Sequence, residues 1–161
     1  MSTFVSIGNA KQQFPRFFEI VDSVSLLLPK PVIIQSGHTD YHNVEFQVIP
    51  FIEMTQFAEF VAEAQLLILH SGAGSIIHAV QSGKKPIVIP RLSKYGEHVD
   101  DHQLELAQHL ATAGKVYLVQ NTEDMQIAVK QALKTRPDDC KDNYRSKASE
   151  LLDSVFRRYA D

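Results

Sequence analysis

The stretch from Leu66 to Gln103, LLILHSGAGSIIHAVQSGKKPIVIPRLSKYGEHVDDHQ, narrows the possible folds more than any other part of the chain. A short apolar strand, Leu66–Leu69, runs into the glycine-bearing turn His70-Ser71-Gly72-Ala73-Gly74-Ser75. A helix over Ser75–Gln81 follows, then a second apolar strand, Ile87–Ile89, and a polar loop. The same alternation runs through the rest of the chain. Phe4–Ile7, Val32–Gln35, Glu45–Ile49 and Val116–Val119 read as strands. Helical spacing of apolar residues marks about Gln12–Leu28 (Phe14, Phe17, Phe18, Val21, Val24, Leu28) and Met54–Ala64 (Phe57, Phe60, Val61). It also marks Asp101–Ala113 (Leu104, Leu106, Ala107, Leu110), capped by Gly114, and Glu123–Leu133. Short apolar strands alternating with helices predict an α/β fold, a Rossmann-like parallel sheet with helices on both faces. Ligands of such folds sit at the carboxyl ends of the strands. Gly8, the loop after Gln35, Phe51, Ser71–Gly74 and the loop after Pro90 should therefore share one rim.

A chain of 161 residues is one domain with room for an ordinary core. Its 44% hydrophobic and 22% charged residues are globular values, and a net charge of −3 gives no reason to expect nucleic acid as a partner. The single Cys140 has no partner for an internal disulfide and suggests a reducing compartment. No start resembles a signal peptide, and no apolar run approaches the roughly 18 residues that span a bilayer. A cytoplasmic chain is expected, unless a partner tethers it to a membrane. Residues 1–136 form the main domain and 137–161 a polar connection and helical tail. Tyr144, Ala148, Leu151, Leu152, Val155, Phe156 and Tyr159 make one apolar stripe on that tail, which either packs on its own domain or docks on a second chain.

Two segments carry chemistry. In Ser71-Gly72-Ala73-Gly74-Ser75, glycine lets the backbone approach a diphosphate closely, the helix N-terminus favours an anion, and Ser71 and Ser75 offer hydroxyls. It is not a GxGxxG fingerprint, and no acid closes a second strand about 20 residues on, which counts against a nicotinamide enzyme. The second segment, Lys94 to Gln103, is dense in Glu, His, Asp and Gln. Asp100 or Asp101 should cap the following helix. A metal site is the competing reading of the His and carboxylate groups, but no clean HxxxH or HxH spacing supports it. Sugar and phosphate binding fits better, because Gln and Asp pair with vicinal hydroxyls and His donates to phosphate oxygens.

From Phe4 to about Leu133 the chain resembles the C-terminal, donor-binding domain of glycosyltransferase family 28. The motifs that carry the resemblance are FVSIGNAKQQFPRF, VIIQSGHTDY, VIPFIEM, LILHSGAGSIIHAVQSGKKPIVIPR and YGEHVDDHQ. Within the family it is similar to the stand-alone catalytic subunit of the two-chain enzyme that extends dolichol-linked oligosaccharide, and to bacterial relatives in exopolysaccharide and capsule assembly. The resemblance implies the C-terminal half of a GT-B fold. It implies that Gly8 and Asn9 border the donor phosphates, that Phe51 and Ile52 flank uracil, and that Ser71, Gly72, Ala73, Gly74 and Ser75 cradle the diphosphate. Asp101, His102 and Gln103 would lie by the donor sugar, with Glu97 and His98 lining the cleft toward the acceptor.

One position departs from the family pattern. The family has Glu where this chain has His78, and that Glu holds both ribose hydroxyls. A neutral imidazole accepts one hydrogen bond where a carboxylate accepts two, a loss of about 1.5–3 kcal/mol. Either His78 binds the ribose differently, or the donor is held weakly until a partner closes over it.

The resemblance also implies what is missing. Transferases of this fold hold the acceptor in another domain, so a membrane-anchored, acceptor-binding subunit is expected, with a polyprenyl-linked sugar as acceptor and a UDP-sugar as donor. No metal and no other cofactor is expected. The base is either in the partner or is His98. Two rival readings stay open: a non-catalytic subunit that senses a nucleotide sugar, and a metal-dependent hydrolase using Glu97, His98, Asp101 and His102.

Overall fold

The structure is a computed structural model that describes residues 2–135 and, in the tail, 153, 154, 157 and 158. Six strands are ordered β1 Thr3–Ser6, β2 Val32–Gln35, β3 Gln47–Ile49, β4 Leu66–His70, β5 Ile87–Ile89 and β6 Tyr117–Leu118. The helices are α1 Pro15–Asp22, α2 Met54–Glu63, α3 Ala73–Gln81, α4 His102–Thr112 and α5 Thr122–Lys134. All strands pair in parallel, in the spatial order β3-β2-β1-β4-β5-β6. The order reverses between β1 and β4, and a crevice opens at the carboxyl ends of strands at such a switch point.

The central strands are buried on both faces, so period-2 alternation sorts their side chains between two cores. Val5, Ile34, Leu66 and Ile68 pack with Phe14, Phe17 and Val21 of the α1 side and Met125 and Val129 of α5. Phe4, Leu67 and Leu69 point the other way, onto Phe57 and Val61 of α2 and Ala79 of α3. A further cluster joins Ile76, Val80 and Val88 to Leu106, Ala107 and Leu110 of α4. Leu104, expected to face inward with them, is only half-buried.

The first helix is shorter than its apolar spacing predicts. Pro15 occupies its first turn, where a missing N–H costs nothing. Phe14 stays outside it and donates its N–H to Thr39 Oγ1 at 3.0 Å. After Asp22 the chain leaves the helix, and Ser25–Leu27 forms a separate 3-10 turn. All six apolar residues used for the expectation are nevertheless buried. β3 begins two residues later than expected, because Asn43 Oδ1 draws the Glu45 N–H into a turn at 2.8 Å. Gly114 ends α4 as expected: at φ +73° it lets its own N–H reach the Ala111 carbonyl and the Lys115 N–H reach that of Leu110. The apolar stripe of the tail lies outside the described residues.

Candidate functional site

The crevice between β1 and β4 is built from glycines that leave room for one imidazole. Gly8 follows β1 at φ +72°, and a Cβ there would stand 2.6 Å from His70 Nε2. Gly72 flanks the same ring, and a Cβ on it would come within 2.3 Å of His70 Nε2. The His70 ring at the end of β4 thus occupies the space of two absent side chains. It is buried, and Nδ1 makes no hydrogen bond of normal geometry. Burial first, and then the nearby Arg91 charge, push its pKa down to about 3, so the ring is neutral at physiological pH. Gly37 closes the neighbouring loop at φ +56°, with room for no Cβ beside the Gly8 carbonyl. Ser6 Oγ donates to Gln35 Oε1 at 2.7 Å and Gln35 Nε2 to Asn9 Oδ1 at 3.0 Å. This chain of bonds fixes the amide of Asn9 and commits its oxygen inward.

Facing Gly8 across the crevice is the N-terminus of α3. Gly72 is the cap residue and offers no side-chain acceptor, and no acid lies in the first turn. The first intrahelical bond runs from Ile76 N–H to the Gly72 carbonyl, which leaves the N–H groups of Ala73, Gly74 and Ser75 without helical partners. Gly74 is exposed and Ser75 half-buried. Ser71 differs from expectation. It is fully buried and its hydroxyl donates to the Gln103 carbonyl at 2.7 Å, so it ties α4 to α3 and has no proton to give a ligand.

The loop after β5 is organised around charge that the sequence reading placed elsewhere. Arg91 is fully buried and donates to the carbonyls of Gln12 (2.8 Å), Glu97 (3.1 Å) and Ile7 (3.1 Å), with its guanidinium 4.8 Å from the Phe14 ring centre. It fastens the β1 and β5 loops together. Glu97 was expected to line the cleft. Instead it is 2% exposed, and both its oxygens are taken: Arg16 Nε reaches Oε1 at 3.0 Å, while Arg16 Nη2 and the Leu92 N–H reach Oε2, both at 2.9 Å. A buried carboxylate needs such partners, and these leave it nothing for a ligand. Gln103 is held by its own oxygen, which accepts from the Arg91 N–H at 3.1 Å. That contact fixes the amide orientation and turns Nε2, a pure donor, away from Arg91.

Asp101 stands at the cap position of α4, but its carboxylate accepts the Ser93 N–H at 2.8 Å. That bond holds its pKa below the usual carboxylate range. The capping falls to Asp100, whose Oδ1 accepts the His102 N–H at 3.1 Å. Asp100 also lies 3.0 Å from His98 Nδ1 and 3.3 Å from His102 Nδ1. Among the described residues no group of three or more His, Cys, Asp or Glu is arranged to hold a metal ion.

Phe51 forms the outer wall. It is 51% exposed, and the His38 ring meets it edge to face at 5.0 Å. Ile52 is half-buried against the α2 core. His78 lies on α3, half-buried, with its ring 5.8 Å from that of Phe57 on α2. Of the expected site residues, Gly8, Asn9 and Ser71–Ser75 meet at the switch point and the segment 98–103 closes one side. His70, Arg91, Gln35 and Arg16 were not singled out from sequence. Only His70 carried a signal, as the last residue before the glycine turn; the others depend on partners 26 to 84 positions away.

A doubly wound parallel sheet with a helix N-terminus that no side chain caps at its switch point defines a Rossmann-like protein. Residues 5–157 match the glycosyltransferase family 28 C-terminal domain, and the chain belongs to that family. It is 36% identical over 80 residues to the UDP-N-acetylglucosamine--N-acetylmuramyl-(pentapeptide) pyrophosphoryl-undecaprenol N-acetylglucosamine transferase of Solibacter usitatus, covering 50% of this chain and 20% of that one. It is 33% identical over 73 residues to the UDP-N-acetylglucosamine transferase subunit ALG13 of Yarrowia lipolytica, covering 45% of this chain and 35% of that subunit. The matches thus take in between 20% and 35% of these relatives' own lengths. Among solved structures it superposes on the calicheamicin glycosyltransferase CalG4 (TM-score 0.64, 14% identity, 99% of this chain and 43% of that one). It also superposes on MurG of Acinetobacter baumannii (TM-score 0.54, 22% identity, 96% and 50%). The fold is that of the C-terminal half of a GT-B glycosyltransferase.

Proposed function

We propose that this chain is the donor-binding, catalytic subunit of a two-component inverting glycosyltransferase that uses a UDP-sugar. The observation that carries the reading is the N-terminus of α3, which no side chain caps, walled by Gly8, Gly72 and the neutral His70 at the switch point. A diphosphate there meets the N–H groups of Ala73, Gly74 and Ser75, the Ser75 hydroxyl and the Asn9 amide, and a neutral imidazole donates without the cost of burying a charge. The uracil rests by Phe51 and Ile52, and the ribose lies toward His78. Gln103 Nε2, Asp101 and His102 flank the sugar. As C1 passes to the acceptor, negative charge grows on the leaving diphosphate, and fixed donors aimed at it stabilise that charge. No metal or other cofactor is needed in this scheme.

A membrane-anchored subunit supplies the acceptor surface, and the acceptor is a polyprenyl-diphosphate-linked sugar in polysaccharide or glycan-precursor synthesis. Two comparisons support this part. The Yarrowia relative is a subunit by its name, and the Solibacter relative acts on a pyrophosphoryl-undecaprenol acceptor. No described helix is long and apolar enough to cross a membrane. In this reading the partner tethers the chain to the cytoplasmic membrane face. The sensor reading draws its support from the imidazole at position 78, where the family resemblance implies a carboxylate for the ribose. The hydrolase reading loses Glu97 to Arg16.

Thermal stabilisation across a panel of UDP-sugars tests the proposal, with and without the co-expressed membrane partner. A rise in Tm with uridine diphosphates and none with adenosine diphosphates is expected. No shift with any uridine nucleotide in either state refutes it, and binding without transfer when partner and acceptor are present favours the sensor.

A further inference from the structure

We infer that Asp100 is a positioning residue that presents His98 Nε2 as the base of the transfer reaction. The inference rests on the donor-site reading above and adds to it the residue that sets the state of the base.

The geometry around Asp100 is convergent. Its Oδ1 lies 3.0 Å from His98 Nδ1 and accepts the His102 N–H at 3.1 Å, while Oδ2 lies 3.3 Å from His102 Nδ1. One carboxylate therefore faces the same nitrogen of two imidazoles. A carboxylate only accepts, so a contact at 3.0 Å is attractive only when His98 Nδ1 carries the proton. The Asp100 N–H also approaches His98 Nδ1, but at 3.4 Å, and the shorter bond to the charged oxygen prevails. In neutral His98 the lone pair is then on Nε2, the atom that a general base must offer.

Placement agrees with that role. The His98 side chain is 28% exposed, on the loop that leaves the carboxyl end of β5 and leads into α4. His102, half exposed at the start of α4, completes the cluster. Around it the Arg16–Glu97 pair and the Asp101–Ser93 bond brace the loop on both sides, so the dyad sits on a fixed support. The step balances simply. The acceptor hydroxyl gives its proton to His98 Nε2 and its oxygen forms the new bond to C1. The C1–oxygen bond to the diphosphate breaks, and UDP departs with the electron pair. His98 later returns the proton to water.

Two measurements on the full chain test this. The first is the nitrogen–proton correlation spectrum of histidine-labelled protein at pH 8, with His98 assigned through His98→Gln. We expect His98 as the Nδ1–H tautomer in the wild type and a tautomer mixture in Asp100→Ala. Asp100→Asn, which keeps an oxygen for Nδ1–H and for the α4 cap, should restore part of the bias. A wild-type His98 with its proton on Nε2 overturns the inference, and needs no variant to fold.

The second is UDP release from UDP-glucose and UDP-N-acetylglucosamine, with water as acceptor and then with the partner subunit and lipid acceptor. His98→Ala should lose about 10²–10⁴-fold in kcat, with donor Kd changed less than twofold. Asp100→Ala should lose a large part of that factor, and the double variant no more than His98→Ala alone. Losses that multiply would make Asp100 a cap of α4 only and overturn the inference. So would transfer, with partner and lipid acceptor present, at a rate that His98→Ala leaves unchanged, which would place the base in the partner. A chain that binds no UDP-sugar at all would instead refute the donor-site reading, with the tautomer result standing apart from it.

Discussion

Acid should unfold this protein early, and through His70. The ring lies between Gly8 and Gly72 with no room for a counter-charge, and burial holds its pKa at about 3 against an ordinary 6.5. The sign follows from proton counting. Between those two values the unfolded chain binds a proton and the folded chain does not, so lowering the pH favours unfolding. At pH 5, which is 1.5 units below the ordinary value, the loss is about 2 kcal/mol relative to pH 8, at 1.36 kcal/mol per unit. It deepens until the pH nears the folded value. Asp101 acts in a different window: its pKa is held down, so its contribution is lost only as the pH falls below the ordinary carboxylate range. The assay is urea unfolding of the full chain at pH 8 and pH 5, beside His70→Asn. The variant is less stable throughout but lacks the titrating ring. The wild type should lose about 2 kcal/mol more than the variant between the two pH values. Equal losses in both proteins would refute the assignment of a buried neutral imidazole.

The remaining predictions concern the loop, the turn and the ribose position. Glu97→Ala leaves Arg16 and the Leu92 N–H without their buried acceptor, and should cost about 3–5 kcal/mol in chemical unfolding; a cost under about 1 kcal/mol would mean a solvated surface pair. Gly72→Ala and Gly74→Ala should move Tm in opposite directions. A Cβ on Gly72 strikes His70 at 2.3 Å, at about 1–3 kcal/mol for overpacking, whereas Gly74 has nothing within 4 Å and gains up to about 1 kcal/mol of helix propensity. His78→Glu should tighten UDP binding by calorimetry about 10–150-fold, the equivalent of about 1.5–3 kcal/mol for a charged acceptor on the ribose hydroxyls. An unchanged Kd would show that position 78 does not meet the ribose.

The sheet was legible in the chain because its signals are local. Val32–Gln35, Leu66–Leu69 and Ile87–Ile89 are apolar runs set off by turn residues, and the helices between them carry their own period. The turn at Ser71–Gly74 announced a helix N-terminus in the same way, with Gly where backbone must come close. Helix ends were less legible: the apolar stripe from Phe14 to Leu28 runs through a break after Asp22, since burial constrains which residues face inward and not whether the backbone stays helical. The rich loop after Pro90 was legible as chemistry and misread in detail. Glu97, His98, Asp100 and Asp101 are the same kinds of residue within five positions, yet one is a buried clasp, one a partly exposed imidazole, one a shared acceptor and one a loop anchor. That division is decided by Arg16, 81 positions before Glu97, and by the folding of the loop back onto Ser93 and His102. Residue type and spacing determined that this chain forms a parallel sheet with a glycine turn that opens a helix. Only the tertiary structure decided which polar groups keep a free valence for a ligand, because satisfying a buried polar atom is a matter of distances that sequence spacing does not contain.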